Sequence, residues 1–150
     1  MAIRTIVALL LALAICATLA PAHADPIAPG AVRVVDGDTI AVGAVRYRLV
    51  GFDTPEKGAR ARCRAERTLA ARATRKLRRI VSGGGLDLSA VPCSCRPGTA
   101  GTRACNFARP CGVLTADGRD VGITLIAAGL ARPYPFDWRH RPAPAHWCGR

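Results

Sequence analysis

The chain has 150 residues, with 22 Lys or Arg against 10 Asp or Glu and a formal net charge of +12 at pH 7. The length predicts one domain with a modest core, and the absence of repeats and heptads excludes a repeat array or a coiled coil. Twenty of the basic residues are Arg, whose guanidinium binds phosphate oxygens with paired donors. The charge therefore indicates a polyanion partner such as nucleic acid or an anionic membrane, although Arg-rich codon usage or a solvated helix face would give the same composition.

Residues 1–24 have the pattern of a secretory signal peptide. Arg4 precedes an apolar run at residues 6–19, and residues 22–24 read AHA, a small-residue cleavage site. The alternative, a transmembrane anchor, needs a longer run of about 20 apolar residues. We therefore expect a secreted or periplasmic protein with no stable membrane association after cleavage, beginning with a flexible Pro-containing lead-in at residues 25–30.

The following residues predict short strands, one long helix and one short helix. Strands are predicted at residues 32–35, 39–42, 45–52 and 86–91, and a hairpin at residues 113–121 turns at Asp117-Gly118. Helices are predicted at residues 59–81, where the run SGGG ends the pattern, and at residues 122–128. A Pro- and aromatic-rich tail follows at residues 135–150. This order favours a mixed α+β, mainly β fold, a small barrel with packed helices rather than a parallel sheet.

Six cysteines follow the predicted leader. Their even number and the oxidising compartment predict up to three disulfides, and the sequence alone cannot select among the pairings of Cys63, Cys93, Cys95, Cys105, Cys111 and Cys148. The alternative is a zinc site that includes Cys93 and Cys95, but the usual C-x2-C spacing of such sites is absent.

Two neighbouring runs carry most of the candidate chemistry: residues 35–40 read VDGDTI, and residues 48–56 read RLVGFDTPE. Together they supply four carboxylates and one guanidinium from strand ends and turns. Metal-assisted phosphodiester cleavage needs such a set: oxygen ligands for a hard cation, a carboxylate to activate water, and a guanidinium for the phosphate. Taken singly, the first run would also fit an ordinary Asp-Gly turn, and DTPE an ordinary helix N-terminus.

These two runs resemble the two most specific motifs of the thermonuclease, or staphylococcal nuclease-like, family. The long helix, the hairpin and the short helix follow in the family's order, so the resemblance covers residues 31–134. It implies a small five-stranded OB-fold barrel with about three packed helices. It also implies a calcium-dependent endonuclease that hydrolyses DNA and/or RNA.

The resemblance implies a calcium (Ca2+) site and assigns its ligands. Asp36 and Asp53 resemble the family's calcium carboxylates, and the carbonyl of Thr54 resembles a further ligand. Asp38 resembles a second acidic group at the same site, in contact with the metal directly or through water. Water and a phosphate oxygen can complete the 6–8 oxygen ligands that calcium takes, so that metal and substrate meet.

The resemblance also assigns the catalytic and substrate-binding residues. Arg48 and Arg109 resemble the two arginines that bind the scissile phosphate, and Glu56 resembles the general base. Phe107 and Tyr134 are further candidate substrate-binding residues. Phe107 stands at the family's Tyr position but cannot donate a hydroxyl to a substrate phosphate. The Tyr134 ring can stack on a base, although aromatic residues in such a tail more often cap a small core.

The stretch around Arg109 departs from the family pattern. Where the family has Tyr-Gly-Arg, this chain has Phe107-Ala108-Arg109, followed by Pro110. Ala108 disfavours a positive φ, and Pro110 predicts a bulged or edge strand. One hypothesis is that a Cys105–Cys111 disulfide holds the stretch; the competing pairing joins either cysteine to Cys93 or Cys95. A Cys63–Cys148 staple is a further hypothesis.

The sequence therefore predicts a monomeric, secreted or periplasmic calcium-dependent nuclease acting on DNA and/or RNA. The alternative is a catalytically impaired OB-fold module that binds nucleic acid or other polyanions. A weaker third interpretation is a basic, disulfide-rich antimicrobial or envelope protein.

Overall fold

A computed structural model describes residues 26–135, 137–140, 142–143 and 146–149. The predicted leader at residues 1–24 lies outside the described residues. So do Asp25 of the lead-in and residues 136, 141, 144, 145 and 150 of the tail. Within the described part of the chain, no helix is both long enough and apolar enough to cross a membrane.

The described chain contains eight strands, two α-helices and three 3-10 turns. The strands are β1 (Val32–Val34), β2 (Thr39–Val42), β3 (Val45–Leu49), β4 (Gly51–Asp53), β5 (Leu86–Val91), β6 (Cys111–Ala116), β7 (Arg119–Asp120) and β8 (Arg132–Tyr134). The α-helices are α1 (Arg64–Gly83) and α2 (Val121–Ala127), and the 3-10 turns are Pro29–Ala31, Gly58–Arg60 and Asn106–Ala108.

Five strands form a curled, half-barrel sheet in the order β1-β2-β3-β6-β5, with β7 paired to β6. The pairs β1–β2, β2–β3 and β5–β6 are antiparallel, whereas β3 and β6 are parallel over Arg48↔Cys111 and Leu49↔Gly112. Strands β4 and β8 form a separate antiparallel pair. The mixed, mainly β class is confirmed, and the one parallel pair brings the C-terminal end of β3 beside the start of β6.

Two expectations about the elements are corrected. The strand expected at residues 45–52 is divided into β3 and β4, because Gly51 adopts a φ of 90° and turns the chain away from β6. The expected third helix is absent from the described residues, which contain two α-helices. The Pro-rich chain from Arg132 onward forms a strand, because Arg132–Tyr134 pairs with β4.

Helix α1 begins later than the periodicity predicts. Gly58 has a φ of 61° and opens a 3-10 turn, so the α-helix starts only at Arg64, with Cys63 as its N-cap. The Cys63 sulfur accepts the amide of Glu66 at 3.4 Å. The helix ends at Gly83, before Gly84 with a φ of 87°. Its buried side includes Ala70, Ala73, Leu77 and Val81, and it packs against the open side of the half-barrel.

The core lies between the curled sheet and the two helices. The largest fully buried apolar side chains are Phe52, Ile40, Leu49, Leu77, Leu86, Leu114 and Leu125. Burial of each such side chain contributes roughly 1.5–3 kcal/mol. Helix α2 approaches β4 so closely that a Cβ at Gly122 would overlap the Phe52 ring.

Three disulfides join Cys63 to Cys148, Cys93 to Cys111, and Cys95 to Cys105. The Cys63–Cys148 staple is confirmed. The Cys105–Cys111 hypothesis is wrong, and the competing pairing with Cys93 and Cys95 is found instead. Val91 is opposite Cys111 in the β5–β6 register, so Cys93 reaches Cys111 directly. The zinc alternative is also excluded, because Cys93 and Cys95 have no free thiolate. Three disulfides fit an oxidising environment.

Candidate functional site

Arg48 and Arg109 are brought together by the parallel pairing of β3 and β6. The amide of Arg48 donates to the carbonyl of Pro110 at 2.9 Å, so Arg109 lies one residue from the strand that flanks Arg48. Thr39 is opposite Arg48 in the β2–β3 register, and its Oγ1 accepts a hydrogen bond from Nη1 of Arg109 at 3.1 Å. Two guanidinium groups separated by 61 positions in the sequence therefore meet at one end of the half-barrel.

Asp38 lies at the centre of the candidate site. Its Oδ2 is 2.8 Å from Nη1 of Arg48 and accepts hydrogen bonds from Thr54 Oγ1 at 3.0 Å and Thr54 N at 3.3 Å. Burial raises the pKa of Asp38 to about 6 and outweighs the lowering by Arg48 and Thr54, and the neighbouring Asp36 and Asp53 add smaller increases. Negative charge is thus concentrated around Asp38.

The guanidinium of Arg48 is oriented by backbone carbonyls as well as by carboxylates. It donates to the carbonyls of Leu49 at 2.9 Å, Phe52 at 3.2 Å and Asp38 at 3.3 Å, and its Nη2 is 3.6 Å from Asp53 Oδ1. These contacts hold the side chain along the β3–β4 turn, between Asp38 and Asp53.

Asp53 is held from its other side by Arg132. The two residues are paired across β4 and β8, and Nε and Nη2 of Arg132 each lie 3.3 Å from Asp53 Oδ2. The Arg132 guanidinium also lies over the Tyr134 ring, 5.5 Å from its centroid. No sequence pattern indicated Arg132, because its role depends on the pairing of β4 with β8.

Asp36 lies at the edge of the acidic group. Its Oδ1 accepts the amide of Asp38 at 3.3 Å, and its Oδ2 is 3.8 Å from Nζ of Lys57. Between the two aspartates, Gly37 is required by packing, since a Cβ there would lie 2.8–2.9 Å from the Thr54 side chain. The turn at residues 36–38 is thereby pressed against Thr54, which joins the two predicted motifs in space.

Glu56 points to solvent, with half of its side chain exposed, and forms an ion pair with Arg60 at 2.9 Å between Oε2 and Nε. Its amide donates to Oε1 of the buried Glu66 at 3.3 Å. Glu56 is two residues after Thr54 in the chain. The hydrogen bond from its amide to Glu66 ties this segment to the start of α1.

Arg109 is oriented by Asn106, a residue that the sequence analysis did not select. Asn106 accepts from Arg109 Nη2 through its Oδ1 at 2.9 Å and from Nε through its backbone oxygen at 3.1 Å. Its Nδ2 donates in turn to the Arg109 carbonyl at 2.9 Å. Burial and the charge of Arg48 both lower the pKa of Arg109. Asn106 has a positive φ, and Asn adopts this left-handed conformation more readily than most residues. The presence of Asn before Arg109 is therefore a sequence signal for such a turn.

The backbone before Arg109 is left-handed over three successive residues that are not glycine. The φ angles are 53° at Asn106, 57° at Phe107 and 62° at Ala108. The disulfides Cys93–Cys111 and Cys95–Cys105 enclose this turn on both sides. Ala108 thus adopts the positive φ that its side chain disfavours, and two covalent links support the turn.

A cleft of about 1130 Å3 adjoins the site. Arg48 and Asp53 line one end, and the predicted substrate-binding residues Phe107 and Tyr134 also line it, together with Trp138 of the tail. Phe107 is 70% exposed, and the Arg109 guanidinium carbon lies 5.7 Å from its ring centroid. Tyr134 and Trp138 are half-buried, so the exposed ring beside a guanidinium is that of Phe107, and such a pair suits a ligand with both planar and anionic parts.

Three carboxylates with the hard oxygen atoms that divalent cations bind lie around the candidate site. Asp36 and Asp53 are close enough to Asp38 to raise its pKa, after the larger effect of burial. Thr54 donates a hydrogen bond to Asp38. Among the described residues, the group of three potential ligands whose atoms lie within 4.8 Å of one another is Cys63, Glu66 and Cys148, not the three aspartates. That group does not suit a cation, because both sulfurs are in a disulfide.

Comparison of this chain with models of protein families and with curated protein sequences returned no match.

Proposed function

We propose that this protein is a calcium-dependent nuclease of the thermonuclease type that hydrolyses phosphodiester bonds of DNA and/or RNA. The observation that carries the proposal is that Arg48 pairs with the half-buried Asp38 and with Asp53, while Arg109 donates to Thr39, whose hydroxyl donates in turn to Asp38. Two guanidinium groups beside a set of hard oxygen donors form a site suited to a phosphodiester.

In the proposed reaction the two arginines bind the non-bridging oxygens of the scissile phosphate. Arg109 is oriented for this by Asn106, and Arg48 by the carbonyls of Leu49 and Phe52. Asp36, Asp38, Asp53 and the Thr54 carbonyl would hold calcium, which supplies a Lewis acid for the phosphoryl group. The arginines stabilise the negative charge that grows on the phosphate oxygens as water adds to phosphorus.

Glu56 takes the proton from the attacking water. The oxygen of that water forms a bond to phosphorus, and the bond to the opposite oxygen breaks; the leaving oxygen is then protonated from solvent. The resemblance implies that the break leaves a 3′-phosphate. Glu56 is in an ion pair with Arg60 in the structure, and it leaves this pair when it accepts the proton.

The three disulfides support a protein that acts in an oxidising compartment, either secreted or in the periplasm. In this proposal it acts as a monomer on nucleic acid outside the cytoplasm, without stable membrane association.

One observation favours the alternative of a binding module without cleavage. Arg48 is in a closed pair with Asp38, and Glu56 is in a pair with Arg60, so both proposed catalytic groups have protein partners. A protein in which these pairs do not open would bind polyanions and leave them intact.

Cleavage of single-stranded DNA by the oxidised chain, in calcium and in chelator, tests the proposal. We expect calcium-dependent cleavage, its loss in Arg109→Ala, and its retention in Arg119→Ala, an exposed arginine on β7. Cleavage that continues in chelator would overturn the calcium requirement. Binding without any cleavage in calcium would replace the nuclease by the binding module.

A further inference from the structure

The outer side of α1 is covered by basic side chains. Six of them are exposed and one is half-buried, and they are Arg64, Arg67, Arg72, Arg75, Lys76, Arg78 and Arg79. Glu66 is the helix's one acidic residue and is 1% exposed. Within the described part of the chain, these seven side chains have no ion-pair partner. We call this surface the basic face.

The spacing of the basic face places like charges next to each other. Arg72 and Lys76 are four residues apart, as are Arg75 and Arg79, and Arg64 and Arg67 are three apart. Such pairs lie side by side on a helix and repel each other, and this helix has no exposed acid to compensate them. Because the repulsion destabilises the free protein, the basic face is suited to an external polyanion that would relieve it.

A groove connects the basic face with the candidate active site. It has a volume of about 730 Å3, lies between β1 and α1, and is lined by Arg33, Lys57 and Arg78. Lys57 is 3.8 Å from Asp36, the outermost of the clustered aspartates. Positive charge therefore continues from the edge of the site, through the groove, onto α1, whose 20 residues extend about 30 Å.

The apolar side of α1 is not free to enter a lipid surface. Its apolar stripe is packed in the core, and the exposed large hydrophobic side chains of the described residues, Val45, Phe107 and Ile123, lie elsewhere. A helix that binds at a membrane surface inserts an apolar face beside its basic one. The basic face therefore fits a phosphodiester backbone better than a lipid surface.

We propose that the groove and the basic face form a second nucleic-acid-binding surface, distinct from the cleft beside Phe107 and Tyr134. It holds the phosphates of a long polymer, without reading its bases, while another part of the same polymer occupies the site. The inference takes its choice of polymer from the proposed function, but the binding that it predicts does not require cleavage.

The test compares two double variants that each remove two positive charges. Arg75→Gln/Arg79→Gln changes the basic face, whereas the control Arg46→Gln/Arg119→Gln changes exposed arginines on β3 and β7 that line neither the groove nor the cleft. Affinity for a single-stranded DNA of about 30 nucleotides is measured in chelator over a range of salt concentrations, so that no cleavage occurs. Circular dichroism confirms that both variants are folded.

We expect the slope of log K against log salt to become less steep by about 1.4 in the basic-face variant, at about 0.7 for each lost phosphate contact. The affinity should fall roughly tenfold or more at about 0.1 M salt, and the control should change neither quantity comparably. In calcium, the KM for a long DNA should rise in the basic-face variant, while the rate on a dinucleotide-sized substrate should not change.

Equal slopes in the two variants would overturn the second surface while leaving the nuclease proposal intact. A protein that never cleaves but shows the expected slope change would overturn the nuclease and keep the second surface. Vesicles with about 30% anionic lipid form a third arm. Loss of vesicle binding in the basic-face variant, with unchanged DNA binding, would assign the surface to membrane and overturn the proposal.

Discussion

Nη1 of Arg48 lies 2.8 Å from Oδ2 of Asp38, so each of these residues satisfies the charge of the other. In the proposed reaction Asp38 is needed by the cation and Arg48 by the phosphate. The closed pair therefore competes with both, and opening it for one ligand releases the partner for the other. Cation and phosphate binding should be positively linked through this single contact, because each ligand removes the competitor of the other.

Arg48→Gln should separate the effect of the ion pair on calcium binding from its effect on phosphate binding. Without the guanidinium, Asp38 has lost the cationic partner of its ion pair, and the affinity for calcium in the absence of DNA should rise roughly severalfold. Cleavage should be lost, since one phosphate ligand is missing. Calorimetric titration with calcium measures the first effect, and Arg46→Gln, two residues earlier on β3 and exposed, is the control. Weaker calcium binding in Arg48→Gln would show that the pair supports the cation site.

The raised pKa of Asp38 should make the cation-free protein less stable as the pH rises. The folded value of about 6 lies above the ordinary value of 3.8, so the contribution to stability is present below about pH 4 and is lost as the pH rises through 6. The resulting decrease in the free energy of unfolding is at most about 3 kcal/mol.

Chemical denaturation between pH 4 and 8 measures whether stability falls as the pH rises. The reference is Asp38→Asn, whose side chain cannot titrate. In chelator, the free energy of unfolding of the native chain should decline relative to that of Asp38→Asn. Saturating calcium should abolish the decline, because the cation favours the charged carboxylate. Parallel curves in chelator would contradict the assignment of a raised pKa.

Glu56→Gln should eliminate cleavage and leave DNA binding intact, because the amide cannot accept the proton of the attacking water. The expected loss of rate is about 10²–10⁴-fold. Arg60→Gln removes only the 2.9 Å partner of Glu56 and should retain most of the activity. Single-turnover cleavage of DNA compares the two variants. Undiminished cleavage in Glu56→Gln would remove this carboxylate from the mechanism, whereas inactive Arg60→Gln would show that the ion pair positions it.

The sequence was sufficient to predict the parts of the fold and site that depend on local patterns. The strands β1, β2 and β5, the helices and the Asp117-Gly118 hairpin all follow from periodicity and turn chemistry, and Asp117 and Gly118 both have the positive φ of such a turn. Asp38, Arg48 and Asp53 come together because two short motifs lie on adjacent turns.

The unpredicted parts depend on contacts between distant segments. Arg132 reaches Asp53 only through the β4–β8 pair, which no sequence pattern indicated. Asn106 holds Arg109 because two disulfides enclose a left-handed turn, and fifteen pairings of six cysteines are compatible with the sequence. The start of α1 was misplaced because the stretch before it has helical composition, while Gly58 and the Cys63 cap decide the boundary.

Ala108→Gly should stabilise the protein. A left-handed residue other than glycine costs about 1–2 kcal/mol, and glycine adds an entropic cost of about 0.5–1 kcal/mol, so the expected gain is up to about 1.5 kcal/mol. Ala104→Gly, an exposed change in the same loop without a positive φ, should instead be destabilising. Denaturant unfolding of the oxidised chains provides the comparison. A loss of stability in Ala108→Gly would show that this turn does not hold Ala108 in a strained conformation.

Glu66→Gln should weaken both folding and the proposed catalysis. The buried carboxylate accepts the amides of Arg62 at 2.7 Å and Glu56 at 3.3 Å, and so ties the segment of the proposed base to the start of α1. Burial raises the pKa of Glu66, but these backbone hydrogen bonds and the Arg62 charge lower it by more, so it lies below the ordinary value of 4.5. The stabilisation is therefore present above pH 4.5 and is lost as the pH falls through the folded pKa.

In Glu66→Gln the side chain has one oxygen and one NH2 group. The NH2 group cannot accept, so one of the two backbone amides loses its hydrogen-bond acceptor. The free energy of unfolding at pH 7 should fall by about 1–3 kcal/mol. The difference from the native chain should shrink in acid, where Glu66 is itself protonated. Asp87→Asn, an acidic position on β5, is the control. If the difference between Glu66→Gln and the native chain persists unchanged at low pH, then the side chain stabilises the fold by its packing and not by its charge.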